Sequence, residues 1–271
     1  MTDAPTRDQA LFRTDGELLV PTPITRGPWY GRTMHGGAML AAVARAADRH
    51  PASTPRQVVR LTVDLVRAAP MVPVRLVSRA ATDGKRVDHV DVEMWADDQL
   101  CARGTALRVR TADLDVAPEL EPPHPRPPAA DLEVPHRLAM GSEPGFHHAV
   151  DTHADVDAGI AWCRLAVAVV EGERPSSIEV VAALADLTYA ASYIIRTAAG
   201  APPPQLGRGF SLINADTILV HRPLAGRWLG LRTTTHLGPV GAGTSSAQLL
   251  DELGAVGVTG QSLVVRGADG T

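Results

Sequence analysis

Asp186 is the one charge between Glu179 and Arg196 in the segment EVVAALADLTYAASYIIR. A carboxylate among apolar neighbours is costly unless it is hydrogen bonded, paired or put to use. Two uses suit it: capping a helix that begins at Leu187, or polarising a water molecule for attack on a substrate. Gln261, in GVTGQSLVVR, is a long amide on a strand of small and apolar residues. If it faces inward it needs polar partners. Between them lie Asn214, Asp216, His221 and Arg222, the last two preceding Pro223 and readable as the end of a strand. His35–Gly36–Gly37 sets an imidazole at a helix start, with two glycine N–H groups free to meet an anionic oxygen.

Other chemistries lack their spacing. The ten histidines fall into no metal-ligand pattern such as HExxH. The chain carries no GxGxxG, Walker or GxSxG motif, and GPVGAG reads as a hairpin because no helix follows it. Neither a metal nor a cofactor is expected.

The elements that must position these residues come in two copies. The stretch from Leu61 to Arg110 has a counterpart from Asp216 to Arg266, with Arg67 set against Arg222, an offset of 155. By the LRVR and LVVR strands the offset reads as 156. Upstream of each copy lies a helix of small residues, HGGAMLAAVARAADR from His35 and DLTYAASYIIRTAAG from Asp186. A repeat of this length implies two copies of one unit packed as a built-in dimer. The copies differ where the chemistry would be, at His35 against Asp186 and at Thr105 against Gln261.

Leu11–Pro21 reads as strand with a turn at Asp15–Gly16. A helix is expected from Gly36 to about Arg49, followed by strands at 57–67, 72–81, 86–96 and 99–110. Short strands open the second unit in HHAVDTHADV and GIAWCRLAVAVV. One helix is then expected from Ser176 or Ile178 to Ala199, followed by strands at 209–221, 226–237, 242–251 and 255–266. A helix against a curved antiparallel sheet, twice over, is an α+β architecture. Each helix should bury its small face on its own sheet, and the two sheets should pair edge to edge. The expected units are 11–111 and 137–266, with the proline-rich segment 112–136 as linker.

At 271 residues there is length for two cores of roughly 110 to 130 residues. With 26 basic and 30 acidic residues interspersed, the net charge of −4 gives no footprint for nucleic acid. Cys101 and Cys163 sit in apolar segments and read as buried free thiols. The N-terminus lacks an apolar leader core and no long uncharged apolar stretch occurs, so a cytoplasmic protein without a membrane span is expected.

The arrangement resembles the double-hotdog acyl-CoA thioesterases, the type II acyl-CoA thioesterase-like family, over roughly 14–110 and 145–266. The resemblance rests on MHGGAMLAA, LADLTYAAS, NADTILVHRPLAGRWLGL and GAVGVTGQSLVVR. It implies a tandem hotdog fold and hydrolysis of an acyl-CoA thioester, with a role in lipid metabolism. In that family a helix Asp, a hydroxyl residue on the following strand and a Gln on the last strand hold the attacking water. Asp186 and Gln261 match two of these. The hydroxyl position falls at Ile213 or Asn214, so Asn214 is the expected substitute, with Thr217 farther along the strand. The resemblance further implies that N–H groups around Thr188 stabilise the oxyanion, with His35, Gly36 and Gly37 near the substrate. Met39, Leu187, Tyr189 and Trp29 would line an acyl groove, and Arg67 or Arg222 would meet the phosphates of coenzyme A. A homodimer of the two-domain chain would be the further assembly. Hotdog proteins also include dehydratases and silent binders, so His35 facing Asp186, or acyl-thioester binding alone, stands as the alternative.

Overall fold

The computed structural model describes residues 10–28, 33–112, 143–202 and 211–265, with 114 and 127; for 83 and 211–215 only the backbone is described. Trp29 and nearly all of the segment 112–136 lie outside the described residues.

Alternation of Val, Leu and polar residues produces strands, and the strands form one sheet. Strands β1 (Ala10–Asp15) and β2 (Leu18–Pro21) make a hairpin whose turn has Gly16 at φ 59°. Helix α1 (Gly36–Asp48) follows, then β3 (Arg56–Leu65), β4 (Val74–Asp83), β5 (Val87–Ala96) and β6 (Gln99–Arg110). The second half runs β7 (Val150–Asp155), β8 (Ile160–Leu165), β9 (Ala168–Val170), α2 (Ser177–Ala185), α3 (Thr188–Ala198), β10 (Ser211–Val220), β11 (Leu229–Leu237), β12 (Ala242–Asp251) and β13 (Gly254–Val265). The 13 strands lie in the order β7-β8-β11-β12-β13-β10-β3-β6-β5-β4-β2-β1-β9, antiparallel except for the β1–β9 pair.

The centre of that order is the β10–β3 pair, and from it the same sequence of strands runs outward in both directions. Thr62 pairs with Thr217, their hydroxyls 3.4 Å apart and their numbers differing by the repeat offset of 155. The edge-to-edge pairing read from the repeat is thus the joint of the molecule. It removes two edges that would otherwise be open to other chains.

The register corrects one equivalence. Leu61 pairs with Ala106 in the first copy and Asp216 with Gln261 in the second. Ala106, and not Thr105, therefore stands where the second copy has Gln261. Thr105 faces away from the helix side, its hydroxyl 3.4 Å from Asp91.

The expected helix 176–199 is a second correction. It breaks after Ala185 into α2 and α3, which meet at 64°. The two pieces have different things to bury. Helix α2 packs its alanines on α1, so closely that a Cβ on Gly37 would sit 2.6 Å from the Ala183 carbonyl oxygen. Helix α3 turns away to lie on β11, β12 and β13. The small residues of α2 thus serve chiefly a helix–helix contact. Helix α1 lies on its own sheet as expected: a Cβ on Gly104 of β6 would strike the Val43 side chain.

Leu11, Leu40, Leu61, Val63, Leu184, Leu187, Ile218 and Leu249 belong to one continuous core that spans both halves. Cys101 and Cys163 are buried free thiols, and burial pushes the Cys163 thiol up to about 12. Among the described residues no single helix is long and apolar enough to cross a membrane; the bent α2–α3 pair has the composition, but α2 is interior.

Candidate active site

The break between α2 and α3 makes the site. Asp186 is the last residue of α2's turn, at φ −57° and ψ −22°, and Leu187 occupies the residue before α3. The Leu187 side chain makes no cap at the start of α3, and Asp186 gives its side chain to His35 instead of a helix N–H. Asp186 therefore does not cap a helix beginning at Leu187. Its side chain is 2% exposed, with Oδ2 3.0 Å from His35 Nδ1 and Oδ1 without a partner among the described residues. Gly36 lies directly beneath, where any Cβ would run into Oδ1.

His35 precedes α1, stacked on Phe146 at 4.4 Å between ring centres. Its Nδ1 is 3.0 Å from Asp186 Oδ2 and also 3.0 Å from the Gly37 N–H. One nitrogen cannot serve both: with a proton it donates to Asp186, without one it accepts from Gly37. The Gly37 N–H is accordingly directed at the imidazole and is not a free anion donor. The two positions that the repeat sets in correspondence, His35 and Asp186, are in direct contact.

Gln261 joins the two sides of the break. Its Oε1 accepts from the Tyr189 N–H at 2.9 Å, satisfying one of the orphan donors at the start of α3. Its Nε2 donates to the Asp186 backbone oxygen at 3.0 Å and to Asp216 Oδ1 at 2.9 Å. The amide is oriented by its partners, since carbonyl and carboxylate oxygens cannot face its oxygen. Gln261 is a clamp on the break, and its polar atoms are already engaged within the protein.

Asp216, one of the polar residues the sequence offers between Asp186 and Gln261, has no assigned role in the expected set. Strand alternation buries Asp216, Ile218 and Val220 and leaves Leu219 outside. Asp216 is 0% exposed, and its Oδ2 has no partner among the described residues. Burial first, then the nearby Asp186 carboxylate, push its carboxyl well above the ordinary carboxylate range, and the Gln261 hydrogen bond opposes this only in part. Thr188, fully buried at the first position of α3, likewise has an unpartnered hydroxyl, while its carbonyl accepts from Thr233 Oγ1 at 3.0 Å.

The remaining expected residues divide. Met39, Leu187 and Tyr189 are buried on the helices, and the Tyr189 and Tyr193 hydroxyls are 2.8 Å apart. Asn214 sits at the irregularity between Ile213 and Ala215, its side chain outside the described residues. Thr217 takes the opposite strand phase from Asp216 and meets Thr62, which excludes it as the substitute hydroxyl. Arg67 is exposed. Arg222 is spoken for: both terminal nitrogens reach the Asp251 carboxylate, at 2.5 and 2.8 Å, and one donates to the Ala255 carbonyl at 2.9 Å. Its hydrogen bonds therefore go to the protein's own carboxylate and carbonyls. Among the described residues no His, Cys, Asp and Glu cluster could hold a metal ion.

Residues 25–109 match the family model of the acyl-CoA thioesterase N-terminal domain, and residues 115–265 that of the acyl-CoA thioesterase C-terminal domain. No curated protein matches the chain. Among solved structures, a hotdog-fold protein of Alicyclobacillus acidocaldarius is 18% identical, with 93% of this chain and 94% of that chain covered and a TM-score of 0.67. The acyl-CoA thioesterase II TesB2 of Mycobacterium marinum is 14% identical, with 88% and 92% covered and a TM-score of 0.63. The TesB protein of Mycobacterium avium subspecies paratuberculosis is 15% identical, with 92% of each chain covered and a TM-score of 0.63. The fold is a hotdog fold.

Proposed function

We propose, for a chain that belongs to the acyl-CoA thioesterase family, that thioester hydrolysis takes place at the α2–α3 break in the C-terminal half. The protein is a thioesterase; which half is catalytic and what it cleaves are the proposal. The chain reads as a tandem hotdog, 11–111 and 137–266 joined by 112–136, acting on acyl-CoA in the cytoplasm as part of lipid metabolism. A homodimer of whole chains is the proposed further assembly.

One observation carries the reading. Asp186 is buried, its Oδ1 is unpartnered among the described residues, and it lies two residues before the first residue of α3. A water at Oδ1 would lose its proton to Asp186 as it attacks the thioester carbonyl. The developing oxyanion would meet the N-terminal dipole of α3 at the Thr188 N–H. Gln261 holds the two helix ends at the required angle. The first copy offers Leu61 and Ala106 in the matching register, both apolar and buried, so one site per chain is expected. Met39, Leu187 and Tyr189 would meet the acyl chain, and exposed Arg67 remains for the coenzyme A phosphates.

Free-thiol release from a panel of acyl-CoAs of differing chain length tests the proposal. Turnover on at least one member is expected; no thiol release across the panel would overturn it. Gln261→Ala leaves the Tyr189 N–H and the Asp216 carboxyl without their amide, at an expected cost of about 1–3 kcal/mol in thermal or urea unfolding. Its activity loss should be smaller than that of Asp186→Asn, and the two losses less than additive, because Gln261 acts through the position it gives Asp186. His35→Ala should raise KM or lower Tm more than it lowers kcat. A kcat loss equal to that of Asp186→Asn, with binding intact, would assign the imidazole the part of a base facing a carboxylate.

A further inference from the structure

We propose that Asp216 is the second reacting carboxyl of the site, a protonated partner to Asp186, so that hydrolysis runs on a pair of carboxyl groups sharing one proton. The proposal rests on the hydrolytic reading above and names a residue for the place where the expected hydroxyl group is missing.

The geometry leaves Asp216 little other employment. It is fully buried on the inner phase of β10, opposite Val63 on one side and Gln261 on the other. Gln261 Nε2 occupies Oδ1 at 2.9 Å and the same nitrogen holds the backbone oxygen of Asp186 at 3.0 Å, tying both aspartates to one amide. Oδ2 of Asp216 and Oδ1 of Asp186 are each buried and unpartnered among the described residues. Two orphaned carboxyl oxygens in one interior region are too costly to keep for structure alone. The groups facing the pair are His35 at the start of α1, Thr188 and Tyr189 at the start of α3, and Gln261 on β13; β3 contributes apolar Val63. No cation is paired with Asp216 among the described residues, whereas Asp186 has the His35 imidazole. Burial and the Asp186 carboxylate both favour the neutral form of Asp216. Environments that separate two carboxyls in this way assign one as base and the other as acid.

The step balances without a co-reactant. A water oxygen forms a bond to the thioester carbon and gives its proton to Asp186. The carbonyl π pair moves to oxygen, which takes the proton of Asp216. On collapse the C–S bond breaks and the thiolate takes the proton from Asp186. The carbonyl re-forms, returning the hydroxyl proton to Asp216. Water and thioester become acid and thiol, and both aspartates end as they began.

The test compares wild type, Asp216→Asn and Asp216→Leu, using the acyl-CoA that wild type cleaves best. Leu is the residue that the first copy carries at this position, so the fold accommodates it and Tm should hold or rise. Both variants should lose on the order of 100-fold in kcat/KM. Asp216→Thr restores an O–H that does not ionise, so it should recover part of the rate. Wild type should lose activity on the alkaline side as the shared proton leaves, and Asp216→Thr should lack that limb. Near wild-type turnover in both Asn and Leu variants, with Asp186→Asn inactive, would overturn the acid role while leaving hydrolysis at Asp186 standing. An Asp216→Thr variant that kept the alkaline limb would also overturn it. If Asp186→Asn were fully active, the site itself would be wrong, a separate outcome from either.

Discussion

Asp186→Asn is expected to yield a folded protein with thioester turnover reduced on the order of 100-fold or more, the scale of a positioned proton acceptor. The substitution keeps size and shape, and the Asn oxygen can still accept from His35 Nδ1, now 3.0 Å from Asp186 Oδ2. What it removes is the capacity of Oδ1 to take a proton from water. Stability should change little, because Asp186 makes no side-chain cap at either helix end. Indeed a buried carboxylate is replaced by a neutral amide, which lowers the desolvation cost. Thiol release and a thermal melt on the same preparation separate the two effects. Wild-type turnover in Asp186→Asn would remove Asp186 from the reaction and leave thioester hydrolysis to be sought elsewhere in the chain.

Much of the fold could be read from spacing. The 155 offset set Thr62 against Thr217, and those residues pair at the joint of the two half-sheets. Alternation located the long strands to within a few residues, because a half-buried strand must alternate. The break in the second helix was not legible. Nothing in LADLTYA carries a proline or glycine, and the break arises from what each piece packs against, which is tertiary information. Asp186, Gln261 and His35 were found because polar groups in apolar segments are conspicuous. Asp216 stood among the polar residues of its strand, but its place in the site went to Asn214 for a local reason. The irregularity between Ile213 and Ala215 shifts the strand phase, so counting from the upstream residues puts the inward position at the wrong place. Arg222 stood out by its charge and its place in the repeat. Neither tells that Asp251, 29 residues later, already holds it.

Arg108→Ala is expected to cost about 3–5 kcal/mol of stability, the largest effect away from the catalytic region. Arg108 is 2% exposed, with Nε and Nη2 each 2.8 Å from the carboxylate of Asp88, itself 3% exposed. Its Nη1 donates to the Ala47 and His50 carbonyls at 3.2 and 2.6 Å, closing the C-terminal end of α1. Truncation strips the helix end of its donor and leaves Asp88 buried with Arg56, at 3.6 Å, as its remaining ion-pair partner among the described residues. The pH dependence has a definite sign. The hydrogen bonds from Arg108 hold the Asp88 carboxyl below its ordinary range, so the pair's stabilisation is present above the unfolded carboxylate range, about pH 4, and is lost as pH falls through the folded value. In Arg108→Ala the largest cause of that depression is gone, and acid neutralises a buried carboxylate that has lost its hydrogen-bonded partner. The stability gap between variant and wild type should therefore narrow as pH falls. The second copy places Leu263 opposite Gly243 at the equivalent register, so the hotdog sheet does not require an ion pair there. A double variant, Arg108→Leu with Asp88→Asn, should accordingly lie closer to wild type than Arg108→Ala in urea unfolding at neutral pH. If the single and double variants were equally destabilised, the cost would belong to the lost donor at the Ala47 and His50 carbonyls, which both variants lack, and not to the stranded carboxylate.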